Sequence, residues 1–426
     1  MAYIDPVTHH DLTEELQAIS TLPSRRRALR VTPPAERSIR EEHPWVYDSS
    51  ISEAPEAISC GDFGVVFDRK DRFLAIGLLD PSSPIRLRIL HQGSPAKIDT
   101  TWFRDRLREA SGLREPLRSG RESPTDGFRL VNGESDGMPG FVVDRYAGTL
   151  VVKLYTAAWI PHLYEILPHL REIQPFERIV LRMNRSMQKD PTSLHGLQDG
   201  QILHGPELEG PVIFQENGIR FEAEPVSGQK TGFFLDQRDN RARVERISQG
   251  QDVLNVFSYT GGFSVYAARG GAATVTSVDI SSQAIDAVGR NLSLNRGHRN
   301  IARCRHQGIA EDAFKVLESM AQSGRRFGVV ILDPPMFAQS VAQVDQALRA
   351  YARLTHLGLS VLERGGTLVQ ASCSNRVSEE AFFQCVESAA HRAGRPLREV
   401  LHTGHGIDHP VAFADGSYLK CLFGKA

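Results

Sequence analysis

The sequence has few cysteines, no long apolar run and almost no net charge, and each absence closes off a class of function. Its five cysteines, Cys60, Cys304, Cys373, Cys385 and Cys421, include no CxxC pair, which argues against both a zinc ribbon and a disulfide framework. Cys60, Cys304, Cys385 and Cys421 read as small core residues. No stretch approaches the roughly 18 uninterrupted apolar residues of a membrane helix. The start, MAYIDPVTHHDLTEEL, carries early acids and no apolar run behind a basic segment, so it does not read as a secretion signal, and cytoplasmic residence away from membranes is the expectation. A net charge of −1 gives no general pull toward a polyanion, so any RNA affinity has to come from local patches. The GxGxxG dinucleotide fingerprint is also missing, which disfavours an NAD-dependent oxidoreductase. His402, His405 and His409 stand among Gly and Pro, and no metal is expected there.

What is present suggests modules. At 426 residues the chain exceeds one hydrophobic core and should divide into two or three domains. Residues 1 to about 25 lack periodicity and end in Arg25, Arg26, Arg27 and Arg30, a tail leading into a basic segment that a solvated stretch would explain equally well. Short apolar runs follow at 64–67, 73–79 and 85–90, separated by Gly, Pro, Asp and Ser, as in a small β-rich domain. An Arg-rich amphipathic segment at 100–117 and strand-like runs at 141–144 and 149–155 suggest a second, α+β module. After about Glu224 the texture becomes VLNVF, FSVYAARG, TVTSVDI, SQAIDAVGRNLSLN, GVVILD, a long helix through Leu362, and TLVQASCS. That alternation is the pattern of a parallel sheet with helices on both faces. The fold class expected is therefore α/β.

Ligands of open α/β sheets bind beyond the carboxyl ends of the strands, so chemistry is sought at those corners. In NVFSYTGGF, Gly261 and Gly262 permit close backbone approach, as a structural turn or as a cofactor loop. Asp279 ends the second strand, 18 residues beyond Gly261, where a carboxylate can accept both ribose hydroxyls. The two corners together favour an adenosine site. Asp312 can accept from an adenine amino group or cap a helix. The fourth strand runs into Asp333-Pro334-Pro335-Met336-Phe337, an extended, donor-poor corner flanked by an acid and an aromatic that can hold a flat base. Cys373 follows the fifth strand on the same edge, before a polar loop and a helix, where a thiol can reach a bound substrate and act as nucleophile.

KTGFFLDQRDNR (230–241), NVFSYTGGF (255–263), SVDIS, DPPMF and SCS, in this order, resemble the bacterial PUA-domain-containing class I methyltransferases of large-subunit ribosomal RNA. The subgroup most similar is the cytosine-C5 enzyme of 23S rRNA. The likeness extends through HPWVY (43–47) and FRLVNGESDGMPGFVVDRY (128–146) to DHPVAFADGSYLK near the C-terminus. It implies a tail over 1–25, an RNA-binding PUA-like domain over 26–95, a central α+β module over 96–223 and a Rossmann-like methyltransferase domain over 224–426. S-adenosyl-L-methionine is the implied cofactor and large-subunit rRNA the implied partner; a homodimer is left open. By the resemblance Phe234, Asp236, Gln237 and Arg238 help enclose the cofactor. Asn255, Ser258, Tyr259, Thr260 and Gly261 form its loop, Asp279 contacts the ribose and Asp312 the adenine. Asp333 joins the cofactor site and, with Cys373, becomes the catalytic pair. Met336 stands where a lysine commonly follows the paired prolines, and ALRAYARLT lacks the lysine-aspartate of the cytosine enzyme. Two rivals remain: an N-methyltransferase acting on guanine or adenine, in which Cys373 is incidental, and a ribosome-assembly factor that holds the cofactor without turnover.

Overall fold

The structure, a computed structural model, describes Leu16, Ile19, residues 24–119 and residues 124–426. The tail read over 1–25 lies almost wholly outside the described residues. The chain divides into two units: Met1–Gly218 with Ala223–Leu235 and Ile407–Ala414, and Ile219–Glu222 with Asp236–Gly406 and Asp415–Ala426.

In the first unit, strands β1 (Arg26–Val31), β2 (Trp45–Tyr47), β3 (Ile51–Glu53), β4 (Phe63–Phe67), β5 (Phe73–Leu79) and β6 (Ile85–Gln92) form a sheet in the order β2-β6-β5-β4-β1-β3. The basic segment at Arg26, Arg27 and Arg30 is thus a strand paired on both sides rather than a solvated tail. The cause is its alternation, which buries Leu29 and Val31 and turns Arg26 and Arg30 to the other face, while Arg27, on the face of Leu29, is held by the buried Asp62 carboxylate at 2.8 Å. A second sheet, β11-β10-β9-β8-β7, is built from β7 (Gly127–Asn132), β8 (Phe141–Tyr146), β9 (Thr149–Leu154), β10 (Arg178–Met183) and β11 (Ile202–His204). Helix α1 (Pro33–Arg40) packs on the first sheet. Beside the second lie α2 (Thr100–Leu113), capped by the Asp99 carboxylate on the Thr101 and Trp102 N–H groups, and α3 (Leu163–Ile173). One apolar cluster joins Phe63, Ile76 and Leu78 to Phe103, Phe128, Phe141 and Trp159, and each such side chain, fully buried, contributes about 1.5–3 kcal/mol. Within it Arg114 and Asp136 form a buried ion pair at 2.7 Å. Carbonyls of Ala110, Arg129 and Asp408 accept the remaining Arg114 donors, as a buried charge requires.

Strands β12 (Val212–Glu216) and β13 (Ile219–Ala223) follow in sequence. The sheet of the second unit has seven strands: β14 (Asp252–Val256), β15 (Thr274–Asp279), β16 (Arg305–Ala310), β17 (Phe327–Leu332), β18 (Leu362–Ser372), β19 (Arg398–Thr403) and β20 (Lys420–Lys425), in the order β16-β15-β14-β17-β18-β20-β19. The first five run parallel, while β20 is antiparallel to both of its neighbours. Between them run α4 (Arg238–Ile247, ahead of β14), α5 (Gly262–Arg269), α6 (Ser282–Leu294), α7 (Ala313–Gln322), α8 (Val344–Ser360) and α9 (Glu379–Arg392). The chain steps outward from β14 to β16, then returns to β17 on the other side; right-handed crossovers therefore place helices on opposite faces and open a crevice where the order reverses. Helix α8 stops at Ser360, short of the expected Leu362, because Leu362 is already paired with Phe327 as the first residue of β18.

Candidate active site

The corner after β14 carries unusual backbone. Phe257 and Tyr259 have φ of 61° and 46°, and Gly261 has φ of 83°; the two non-glycine residues cost on the order of 1–2 kcal/mol each. The strain is held by Asp279, whose carboxylate accepts the Tyr259 N–H at 2.8 Å and the Ser281 N–H at 3.0 Å. The Asn291 amide adds a bond to the Thr260 carbonyl at 2.8 Å. Below the loop, Asn255 donates to Ser264, which is linked to Ser277 and onward to His306. Three buried oxygens of this corner, Asn255 Oδ1, Ser258 Oγ and Thr260 Oγ1, have no hydrogen-bond partner within the protein among the described residues. Buried polar atoms are ordinarily satisfied, so their clustering at the switch point fits a polar ligand such as S-adenosylmethionine. Ile280, next to Asp279, is 77% exposed, an apolar surface at the end of β15 that was not singled out from the sequence.

Asp312 caps α7, accepting the Lys315 N–H at 3.0 Å; of its two readings, the structure displays the cap. The DQRDNR segment is largely buried and tied to the end of the chain. Asp236 accepts from the Tyr418 hydroxyl at 2.9 Å, Gln237 accepts from the Asn240 amide at 2.6 Å, and Asn240 in turn accepts from Thr403. Arg238 is buried with its Nε on Asp239 at 3.2 Å. All the cofactor candidates except Phe234 lie in the second unit; Phe234 lies in the first, its ring 4.3 Å from the Lys230 ammonium.

The corners after β17 and β18 meet. The Cys373 thiol donates to the Pro334 carbonyl at 3.9 Å, and Ser374 Oγ donates to Ala338 O at 3.1 Å, so the acid-Pro-Pro turn and the SCS turn are joined at two points. Asp333 and Cys373 are half-buried. Phe337 packs on Tyr351, whose hydroxyl is 2.8 Å from Ser372 Oγ. Met336 is exposed. From β20, Lys420 sends its ammonium to the Ser374 and Val377 carbonyls at 2.6 and 2.7 Å. Tyr418, Thr403 and Lys420 were not individually legible, although DGSYLK belongs to the segment that carries the resemblance.

The other cysteines correct a sequence reading. Only Cys421 is fully buried, whereas Cys60, Cys304 and Cys385 are half-buried; Cys60 and Cys385 pack against apolar clusters. Desolvation pushes the Cys60 thiol up to about 12 and Cys304 to about 11, and raises Cys385 and Cys421, so all four are poor nucleophiles. The three C-terminal histidines have separate surroundings: His402 stacks on Phe383 at 3.7 Å, His405 meets Tyr418 edge-on, and His409 lies beside Asp408.

Residues 197–417 match the S-adenosylmethionine-dependent methyltransferase family and residues 29–92 a PUA-like domain. The chain is 49% identical to a ribosomal RNA large subunit methyltransferase of Deinococcus radiodurans over 93% of this chain and 96% of that one. It is 36% identical to ribosomal RNA large subunit methyltransferase I of Pseudoalteromonas translucida over 92% and 97%. In fold it is similar to a SAM-dependent methyltransferase from Streptococcus mutans (TM-score 0.74, 22% identity, 94% of this chain and 100% of that one). A methyltransferase crystallised with SAH is similar at a TM-score of 0.75 and 21% identity, over 94% and 100%. The chain belongs to the family of S-adenosylmethionine-dependent methyltransferases that includes these ribosomal RNA large subunit enzymes, with a PUA-like domain before a catalytic α/β domain and S-adenosylmethionine as its cofactor.

Proposed function

We propose that the chain methylates C5 of a cytosine in large-subunit ribosomal RNA, with Cys373 as covalent nucleophile. The observation that carries the reading is the thiol of Cys373 lying against the Asp333-Pro334 corner; the substrate class rests on the names of the relatives. In this reading 26–95 binds RNA, 96–223 is a central module and 224–426 is catalytic. Such a substrate also places the reaction in the cytoplasm.

When bound, S-adenosylmethionine supplies an electrophilic sulfonium methyl. Asp279 accepts from the ribose, the free oxygens of Asn255, Ser258 and Thr260 line the loop with Tyr259 and Gly261, and Asp312 offers its second oxygen to the adenine. Asp236, Gln237 and Arg238 help enclose the cofactor, as the resemblance implies. Cytosine C5 is a weak nucleophile, so the Cys373 thiolate first adds to C6 and the C5=C6 pair shifts to C5. Asp333, protonated or sharing a proton with N3, neutralises the charge pushed into the ring. C5 then takes the methyl group as its bond to the sulfonium sulfur breaks and the electron pair stays on sulfur, leaving S-adenosylhomocysteine; a base removes the C5 proton, and the returning electron pair restores C5=C6 and expels the thiolate.

RNA carrying 5-fluorocytosine at the target becomes covalently attached after methyl transfer, since fluorine cannot leave as a proton does. Cys373→Ala forms no adduct, still binds cofactor, and loses turnover by several orders of magnitude. Near wild-type methylation by Cys373→Ala overturns the cytosine-C5 reading in favour of an N-methyltransferase acting on a purine, for which the acid-Pro-Pro-aromatic corner is also suited.

A further inference from the structure

Lys420 is 1% exposed. It opens β20 directly opposite Ser372, and its side chain crosses to the Ser374 and Val377 carbonyls at 2.6 and 2.7 Å; the pairing and the first bond bracket Cys373 from either side. An ammonium has three donors, and two are used here. Among the described residues it has no carboxylate within ion-pair distance. Buried charges are costly unless paired, so an unpaired lysine in a sheet calls for a transient counter-ion. The charged groups that act on it are Cys373 and Glu379, in the first turn of α9. Around the thiol also stand Asp333 and the Tyr351 hydroxyl from α8. A negative charge on Asp333 or Glu379 would disfavour a thiolate, and Lys420 brings a positive charge to the group.

We propose that Lys420 is the positioning residue for the Cys373 nucleophile: its buried ammonium pins the turn that carries the sulfur and provides the fixed positive charge against which the thiolate forms. The inference rests on the reading of Cys373 as nucleophile. The thiol proton leaves to solvent, the electron pair stays on sulfur, and attack at C6 consumes that pair. Burial holds the Lys420 pKa down from 10.5 to about 8 even though negative charge on Cys373 and Glu379 raises it, so the amine is still mostly charged at neutral pH. Above about 8 the support is lost.

The test is the pH dependence of Cys373 alkylation by iodoacetamide in the full-length protein, followed by mass spectrometry of the Cys373 peptide. In the wild type the midpoint lies below the roughly 8.5 of a free thiol. Lys420→Met moves it up by about one unit or more, slowing alkylation at pH 7 about tenfold, since a nearby opposite charge shifts a pKa by about 1–3 units. Lys420→Arg keeps the charge and restores the low midpoint. Binding of S-adenosylhomocysteine by each variant reports that it is folded. Loosening the turn alone changes the rate but not the midpoint. An unchanged midpoint in folded Lys420→Met overturns the proposal; should that variant not fold, a wild-type midpoint at or above 8.5 does so. The nucleophile reading is judged separately: a shifted midpoint without a 5-fluorocytosine adduct in the wild type retains the role of Lys420 toward the thiol and removes the covalent mechanism, and an adduct with no shift does the reverse.

Discussion

Both oxygens of Asp279 are engaged in holding the strained loop at Phe257–Gly261, yet a carboxylate has about four lone-pair positions and retains capacity for the ribose. Asp279→Ala therefore removes the ligand's acceptor and the brace of its loop together. Charge-assisted bonds of this kind contribute about 1.5–3 kcal/mol each, so calorimetry should show S-adenosylhomocysteine affinity falling by at least roughly tenfold; unchanged affinity removes the site. At this scale, acids at strand ends were legible because the α/β pattern points to them. Ile280, Tyr418 and Lys420 were not, since exposure of an isoleucine and the reach of a lysine across a strand pair have no one-dimensional signal.

At the scale of elements, the turn between β14 and α5 sets the site. Gly261 has a left-handed φ, and a Cβ there would lie 2.7 Å from Val288 Cγ1 on α6. Gly250 has a similar φ of 71° with open space around it. Gly250→Ala should cost only the backbone term, about 1 kcal/mol, and leave cofactor affinity intact. Gly261→Ala should be less stable than that by a further 1 kcal/mol or so, because the clash displaces α6 or the loop, and should bind S-adenosylhomocysteine more weakly. Equal melting temperatures and affinities for the two variants would show that the loop does not depend on this contact. The glycines were visible in the sequence as a turn of unspecified purpose. Their packing partner lies 27 residues away, on a helix whose placement only the sheet order decides.

For the whole molecule, near-zero net charge makes local cations decide RNA binding. The structure discriminates between the two basic segments read from the sequence. Arg104, Arg106, Arg108 and Arg114 each have a carboxylate at 2.7–3.3 Å, as does Arg27 with Asp62 at 2.8 Å. Arg25 and Arg26 are exposed and have no such partner among the described residues. RNA affinity should fall steeply with salt, and Arg25→Glu with Arg26→Glu should lower the log–log slope by about two, close to 0.9 per phosphate contact. Arg104→Glu with Arg108→Glu should change it less. A salt-independent affinity, or a larger loss from the second pair, would overturn this assignment.

The sequence by itself determined the α/β class, the order of the strand-end motifs and the family they resemble, because hydrophobic period and turn residues are local properties that survive in one dimension. It also brought Asp279, Asp333 and Cys373 forward, since the carboxyl end of each parallel strand follows directly from that period. Tertiary structure alone decided which corners touch. The thiol of Cys373 meets Pro334 through the β17–β18 ladder, and Lys420 reaches the same turn because β20 enters the sheet antiparallel beside β18. Contacts of that kind depend on sheet order and register, which many distant residues settle together through burial of the apolar core, so no segment read alone contains them.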